Sequence, residues 1–237
     1  MVRALIDGDN LAVACAATAE DAPEAWVACS RAKTFLETIL ELSGASEYEV
    51  WLSGSNNFRY SVYPEYKANR KGAARPRWEV AVKSYLTDSW AANWSEGCEA
   101  DDMLVIRHQE LGALATLAHL DKDMNQSAGK HFNWELKRDG EVIREARIYD
   151  VSREEGDRFF WYQMLTGDAT DNIKGVPGIG PKKAEGILSG LSTNQEMYEA
   201  CQDLYSCEEE LDMNAACLFI WRKPNDSWKS LIGVNNG

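Results

Sequence analysis

The chain has 237 residues, 45% of them hydrophobic, and 38 acidic against 25 basic side chains give it a net charge of −13. That length allows one large domain or two small ones, and no apolar run is long enough for a signal peptide or a membrane span. Six cysteines without CxxC pairs exclude a zinc-finger pattern and suit the reduced thiols of a cytoplasmic protein. In chain order, Val2 to Ile6 reads as a short strand running into Asp7-Gly8-Asp9. A helix follows from about Pro23 to Leu42, then a strand at Tyr48 to Leu52, helices near Trp78 to Trp90 and Ala100 to Leu111, and a strand at Leu114 to Leu120. This alternation predicts an α/β fold with a mostly parallel central sheet flanked by helices over residues 1–150. Lys130 to Tyr149 reads as a hairpin, Phe132 to Lys137 and Glu141 to Tyr149, turned at Asp139-Gly140. Residues 151–237 read as helical, with starts marked by capping boxes at Ser152/Glu155, Thr193/Glu196 and Ser206/Glu209. A glycine-rich loop from Asp171 to Pro181 interrupts these helices.

The net charge alone argues against a polyanion partner. Its distribution does not, because Asn56 to Lys83 holds seven basic residues (Arg59, Lys67, Arg70, Lys71, Arg75, Arg77 and Lys83) against Glu65 and Glu79. Within this strip, Lys67 and Arg70 would share a helix face with Tyr66 beside them, two phosphate donors and a stacking ring. Acidic residues cluster elsewhere, at Asp7 with Asp9, at Glu99, Asp101 and Asp102, at Asp121 with Asp123, and at Asp168 with Asp171. Carboxylates 4 Å apart repel by about 4 kcal/mol at an effective dielectric near 20, so their convergence would need Mg²⁺ or Mn²⁺.

One acidic pair alone is most simply a helix cap or a solvated surface. Four clusters at α/β positions favour metal binding, and none has the ligand spacing of a calcium loop. A helical spacing of three points Glu99 and Asp102 at one metal and leaves Asp101 to face elsewhere or to cap. If the strands continue, a period of two places Asp121 with Asp123, and Asp7 with Asp9, on one face. Gly175-Val176-Pro177-Gly178-Ile179-Gly180-Pro181-Lys182-Lys183 allows tight turning into a helix. Its first-turn lysines oppose the helix dipole unless an anion binds there. His108, His119 and His131 are too dispersed for a triad, Trp90 and Trp94 read as core, and Arg222-Lys223-Pro224 reads as a further contact to DNA.

Tyr66-Lys67-Ala68-Asn69-Arg70, Glu99-Ala100-Asp101-Asp102, Asp121-Lys122-Asp123 and Gly167-Asp168-Ala169-Thr170-Asp171-Asn172-Ile173, leading into the glycine loop, together resemble the flap endonuclease and 5′-3′ exonuclease superfamily. The likeness is strongest to short bacteriophage exonucleases and the 5′-nuclease domain of bacterial DNA polymerase I. It implies a PIN-like core with a basic arch or clamp near residues 56–97, and a helix-hairpin-helix grip on DNA near 171–190. By resemblance, Asp7, Glu99, Asp101, Asp102, Asp121, Asp123, Asp168 and Asp171 hold two Mg²⁺, or Mn²⁺. Lys67 and Arg70 contact the scissile phosphate and Tyr66 stacks on the terminal base. Lys71, Gly175, Gly178, Gly180, Lys182 and Lys183 grip the duplex, with K⁺ bound at the loop.

The implied activity is hydrolysis from the 5′ end of double-stranded DNA, with 5′ flaps and the RNA strand of RNA-DNA hybrids as further substrates. The expected setting is a monomer in the cytoplasm, that of the host if the chain is phage-encoded, acting in replication and recombination. Two departures stand out. Gly54 occupies a position where many relatives carry Asp, and Gly72 to Glu96 does not match the relatives' arch closely. Gly54 leaves a second reading open, a catalytically silent protein that binds DNA junctions.

Overall fold

The computed structural model describes residues 1–138 and 141–234. Its strands are β1 (Arg3–Asp7), β2 (Glu47–Leu52), β3 (Asn93–Trp94), β4 (Ala115–Ala118), β5 (Gly129–Asn133), β6 (Leu136–Arg138), β7 (Glu141–Arg144) and β8 (Arg147–Val151). Six form one sheet in the order β3-β2-β1-β4-β5-β8, parallel except where β8 runs antiparallel to β5. The mostly parallel α/β architecture expected from the alternating pattern is therefore present. Helices α1 (Gly8–Thr18), α2 (Trp26–Ser43), α3 (Arg59–Val62), α4 (Glu79–Trp90) and α5 (Ala100–Leu111) connect the first strands.

Strand alternation sorts the core into two faces. Ala4, Ile6, Val50 and Leu52 pack with Leu11, Cys15, Leu36, Ile39, Val82 and Leu86 of α1, α2 and α4. Leu5 and Leu117 point the other way, onto Leu104 and Val105 of α5 and Ile220. From β1 the chain passes to β2 and β3 on one side and returns to β4 on the other. This order reversal makes the carboxyl ends of β1 and β4 a topological switch point, where open α/β sheets place ligands. Among the described residues, no helix is long and apolar enough to cross a membrane.

Helices α6 (Arg153–Thr166), α7 (Pro181–Leu188), α8 (Asn194–Gln202) and α9 (Glu208–Leu218) form the helical part. They share a core of Phe160, Trp161, Met164, Leu188, Met197 and Leu211, joined by Tyr66 from the basic strip. Between α6 and α7, β9 (Gly167–Asp168) pairs with β10 (Ile173–Lys174), so a small antiparallel turn precedes the glycine loop.

Several expectations need correction. Helix α1 has no counterpart among them, because the chain passes from β1 straight into a helix at Asp7-Gly8-Asp9: Asp7, the last residue of β1, is also the N-cap and accepts from Asn10 N at 3.0 Å. Asp7 and Asp9 therefore do not share a strand face. The hairpin is divided into the outer pair β5–β8 and the inner pair β6–β7, and its expected turn at Asp139-Gly140 lies outside the described residues. Capping boxes occur at Ser152/Glu155 and Thr193/Glu196 but not at Ser206/Glu209. Helix α9 starts one residue later with Cys207 as N-cap, and Ser206 Oγ donates to Glu210 Oε2 at 2.5 Å.

Trp94 is 47% exposed and so is not core. Arg222 is buried against Asp157 (2.5 Å) and cannot serve as an open DNA contact. The three histidines, distant in sequence, meet in the interior. His119 Nε2 lies 2.9 Å from His131 Nδ1, and Ser127 Oγ lies 2.8 Å from His108 Nδ1. Strand pairing of β4 with β5 and the packing of α5 bring them together, which no sequence spacing reveals.

Candidate functional site

Asp7, at the end of β1, is fully buried. Burial pushes its carboxyl up to about 7, the Asn10 backbone N–H opposes this, and Asp9 and Asp121 push the same way as burial. Asp101, in the first turn of α5, is raised by burial, then by Asp7, Asp121 and Glu99. Asp121 lies three residues past β4, and its Oδ1 accepts from Asp123 N at 2.9 Å. That turn, followed by a 3-10 segment at Asp123–Gln126, replaces the extended geometry expected for the pair. Burial and Asp121 push Asp123 up to about 8, with Lys122 opposing. Asp168 completes this side: burial raises it, but Lys122 Nζ at 2.8 Å and the backbone N–H groups of Thr170 and Asp171 together outweigh burial and hold it below the usual carboxylate range.

The basic strip lies against the remaining acids. Lys67 adopts a left-handed backbone (φ 54°) at the start of the 3-10 turn Ala68–Arg70, so the pair is presented by a tight turn and not along a helix. Lys67 Nζ is 2.5 Å from Glu99 Oε1 and 3.6 Å from Asp171 Oδ2, while Arg70 is 2.6 Å from Asp171 Oδ1. Tyr66, expected as an open stacking ring, is only 2% exposed. Its hydroxyl lies 2.9 Å from Glu99 Oε2 and 2.8 Å from Asp171 Oδ2, its single proton placed between the two acids. Burial would raise Glu99, but Arg59, Lys67 and Tyr66 outweigh it and hold the carboxyl down. Burial keeps Asp171 raised despite Lys67 and Tyr66.

Asp102 departs from its expected place. It is fully buried, it accepts from Arg59 at 2.6 and 2.9 Å, and it closes the capping box of α5 through Glu99 N. Residues three apart do share a helix side, but here the N-cap Glu99 lies outside the helical turn, so Asp101 faces the other acids and Asp102 faces the core. Asp9 is also diverted, to Lys83 Nζ (2.7 Å) and Ser53 N (2.8 Å).

In the glycine loop, Gly178 has φ 76°, and a Cβ on Gly175 would stand 2.3 Å from Gly167 N, so both positions require glycine. Gly180 caps α7 ahead of Pro181, and Lys183 Nζ donates to the Gly178 carbonyl at 2.9 Å. Lys71 and Lys182 are exposed. Arg59 was named only as part of the basic strip, and Lys122, Asn10 and Gln163, which also hold these acids, were given no role in the sequence. Only Lys122, lying between Asp121 and Asp123, carried a local signal.

Among the described residues, no three Asp, Glu, His or Cys groups surround one point closely enough to bind an ion unaided. Acids raised by burial and then by one another nevertheless fit a divalent ion held by one or two carboxylates with water in its remaining positions, the usual Mg²⁺ arrangement. Asp7 with Asp101 or Asp121 suits one such ion, and Asp123 with Asp168 suits another.

A stability test follows from the raised acids. A carboxyl lifted in the folded state makes that state bind more protons than the unfolded chain, so stability falls as pH rises between the ordinary carboxylate range and the folded values near 7 and 8. Burial lowers the pKa of His108 and His119, so these histidines add stability as pH rises to about 6.5 and offset the acids there. Above that range, melting in EDTA should shift to lower temperature from about pH 7 to 8.5, and Mg²⁺ should reverse most of the shift. Flat melting behaviour would contradict the cluster.

Gly54 has a packing explanation. A Cβ there would lie 2.2 Å from the Ser95 carbonyl oxygen, and Gly54 N already donates to Ser95 Oγ at 3.2 Å. Gly54→Asp should therefore destabilise the protein by about 1–3 kcal/mol and fail to raise activity. Urea unfolding together with an activity assay checks both.

No protein-family model matches the chain. It is 29% identical over 160 residues to DNA polymerase I of Rhizobium leguminosarum, covering 63% of this chain and 15% of that protein. It is 25% identical over 206 residues to flap endonuclease Xni of Shewanella baltica, covering 84% and 79%, and 30% identical over 165 residues to Xni of Shewanella piezotolerans, covering 66% and 64%. In fold it is similar to the bacteriophage T5 5′-exonuclease with divalent zinc bound, with a TM-score of 0.69 at 22% identity over 92% of this chain and 89% of that one. The T5 flap endonuclease in a pseudo-enzyme–product complex with DNA and metal ions gives a TM-score of 0.59 at 18% identity, over 98% and 97%.

Proposed function

We propose that this chain, similar in sequence to flap endonucleases and 5′-3′ exonucleases and in fold to the T5 enzyme, is a metal-dependent nuclease that hydrolyses phosphodiester bonds from the 5′ end of duplex DNA. The observation that carries this reading is the gathering of the buried Asp7 with the half-buried Asp101 and Asp123 beyond the strand ends, all raised by burial and by neighbouring carboxylates, with Lys67 and Arg70 close by. A protein that only bound DNA would have no physical reason to concentrate negative charge where phosphate approaches. The silent-binder reading loses its main support because packing against Ser95 accounts for Gly54.

Two Mg²⁺, or Mn²⁺, would supply an activated water and stabilise the leaving 3′ oxygen. Asp7, Asp101, Asp121, Asp123 and Asp168 would hold them, with Glu99 and Asp171 acting through water. Lys67 and Arg70 would exchange their carboxylate partners for the scissile phosphate and offset the charge that builds on it. Tyr66 would fix Glu99 and Asp171 in place through its hydroxyl. The 1–150 unit would carry the chemistry. Within 151–237, the Gly175–Lys183 loop would grip duplex backbone through amides and Lys182. A K⁺ ion at that loop would compete with the Lys183 ammonium for the Gly178 carbonyl.

Flaps and RNA-DNA hybrids are further substrates of the same site, and a cytoplasmic monomer is the expected setting. Lys67→Ala should lower turnover on the order of a hundredfold with little loss of duplex affinity, as single-turnover kinetics and a binding titration would read. The deciding assay digests duplexes labelled at the 5′ or 3′ end, and a 5′ flap, in Mg²⁺ or EDTA. Early Mg²⁺-dependent loss of the 5′ label supports the exonuclease, and dominant cutting at the flap junction would move the assignment to flap endonuclease. Intact substrates in both Mg²⁺ and Mn²⁺ would refute it.

A further inference from the structure

Gln126 and Gln163 are each only 1% exposed, and a buried amide is costly unless both of its ends are paired. Gln126 ends the 3-10 turn Asp123–Gln126 and Gln163 lies on α6. The segment after α9 dictates how the Gln126 amide points. Its Oε1 accepts from Ile220 N at 3.2 Å and its Nε2 donates to the Leu218 carbonyl at 2.8 Å. Turned over, the amide would set donor against donor and acceptor against acceptor. The other Nε2 hydrogen is given to Gln163 Oε1 at 2.8 Å. With its oxygen committed, Gln163 presents Nε2 at its free side, and that group donates to Asp123 Oδ1 at 2.8 Å.

We infer that Gln163 is a positioning residue for the Asp123 carboxylate, with its donor polarity set by Gln126 and, through Gln126, by the backbone of Leu218 and Ile220. A neutral amide orients the carboxylate without cancelling its charge, which a lysine in the same place would do. With Oδ1 engaged, Oδ2 is the oxygen left for an ion. Partners of this kind, one bond removed from a metal ligand, commonly change metal affinity 10–100-fold when removed. The inference rests on the metal-nuclease reading.

The test is calorimetric titration of Mg²⁺ into metal-free protein, for the unaltered chain and for Gln163→Met and Gln163→Asn. Met keeps the volume and removes both amide ends, and Asn keeps the amide but withdraws it by one methylene. Both should weaken Mg²⁺ binding by roughly 10–100-fold, with turnover largely recovered at saturating Mg²⁺ and duplex binding in EDTA unchanged. A lowered melting temperature with unaltered Mg²⁺ affinity would make Gln163 a packing residue and overturn the inference. Should the Met variant not fold, the milder Asn variant decides by the same criterion. An unaltered chain that takes up no Mg²⁺ would overturn the nuclease reading along with this one, whereas uptake equal in all three proteins would overturn this inference alone.

Discussion

Asp123→Ala is expected to lower turnover on the order of a thousandfold or more while leaving duplex binding in EDTA intact. The loss of a metal-holding carboxylate removes several kcal/mol of charge stabilisation, and each 1.36 kcal/mol is about tenfold in rate. Misfolding is a poor alternative explanation for such a loss. Asp123 is pushed up by burial and by Asp121, so its removal relieves repulsion that offsets the cost of leaving Gln163 Nε2 unpaired, and the metal-free variant should still fold and unfold cooperatively near pH 8. The pair of measurements is single-turnover hydrolysis of a 5′-labelled duplex and thermal melting in EDTA. Full activity in a folded variant would remove Asp123 from the metal site.

Arg59→Met should cost about 3–5 kcal/mol, the usual penalty for breaking a buried ion pair from one side. Arg59 is 2% exposed, holds Asp102 with two bonds, and donates to the Cys217 and Phe219 carbonyls at 2.8 Å each. Asp102 Oδ1 also accepts from Trp221 N at 3.0 Å. One guanidinium therefore joins the basic strip, the start of α5 and the end of α9, and its removal leaves the buried Asp102 charge without a counter-charge and takes a donor from two carbonyls. Domains of this size are stable by about 5–15 kcal/mol, so a large share would be lost, as urea unfolding would measure. Arg59→Met/Asp102→Leu should be less destabilised than Arg59→Met, because no charge is then stranded. Equal or greater loss in the double variant would mean that packing, not charge, dominates the site.

Much of the fold was legible in the sequence because its signals are local. Apolar runs at β1, β2 and β4 alternate with helical periodicity at α2, α4 and α5, and Ala100 to Leu111 was delimited to the residue. Two of three capping boxes formed because a Ser or Thr side chain and a Glu three residues on satisfy each other within one turn. Helix α1 escaped notice because an Asp-Gly-Asp start resembles a turn when the Asp7 cap is not seen. The 3-10 turns at Ala68 and Asp123 were hidden for a similar reason, since periodicity has no purchase on three or four residues.

Residue types and their order along the chain were enough to nominate acids for metal, a basic pair beside them and a glycine loop after them, since carboxylates and guanidinium groups carry their chemistry wherever they stand. Only the tertiary structure decided which acids meet. Asp102 was diverted to Arg59, and Asp9 to Lys83. Tyr66 was turned inward to hold Glu99 and Asp171, and Gln163 was brought to Asp123 from forty positions away. A buried charge is assigned by the partner that packing brings within about 3 Å. That distance is set by strand order and helix docking, which leave no mark on neighbouring residues.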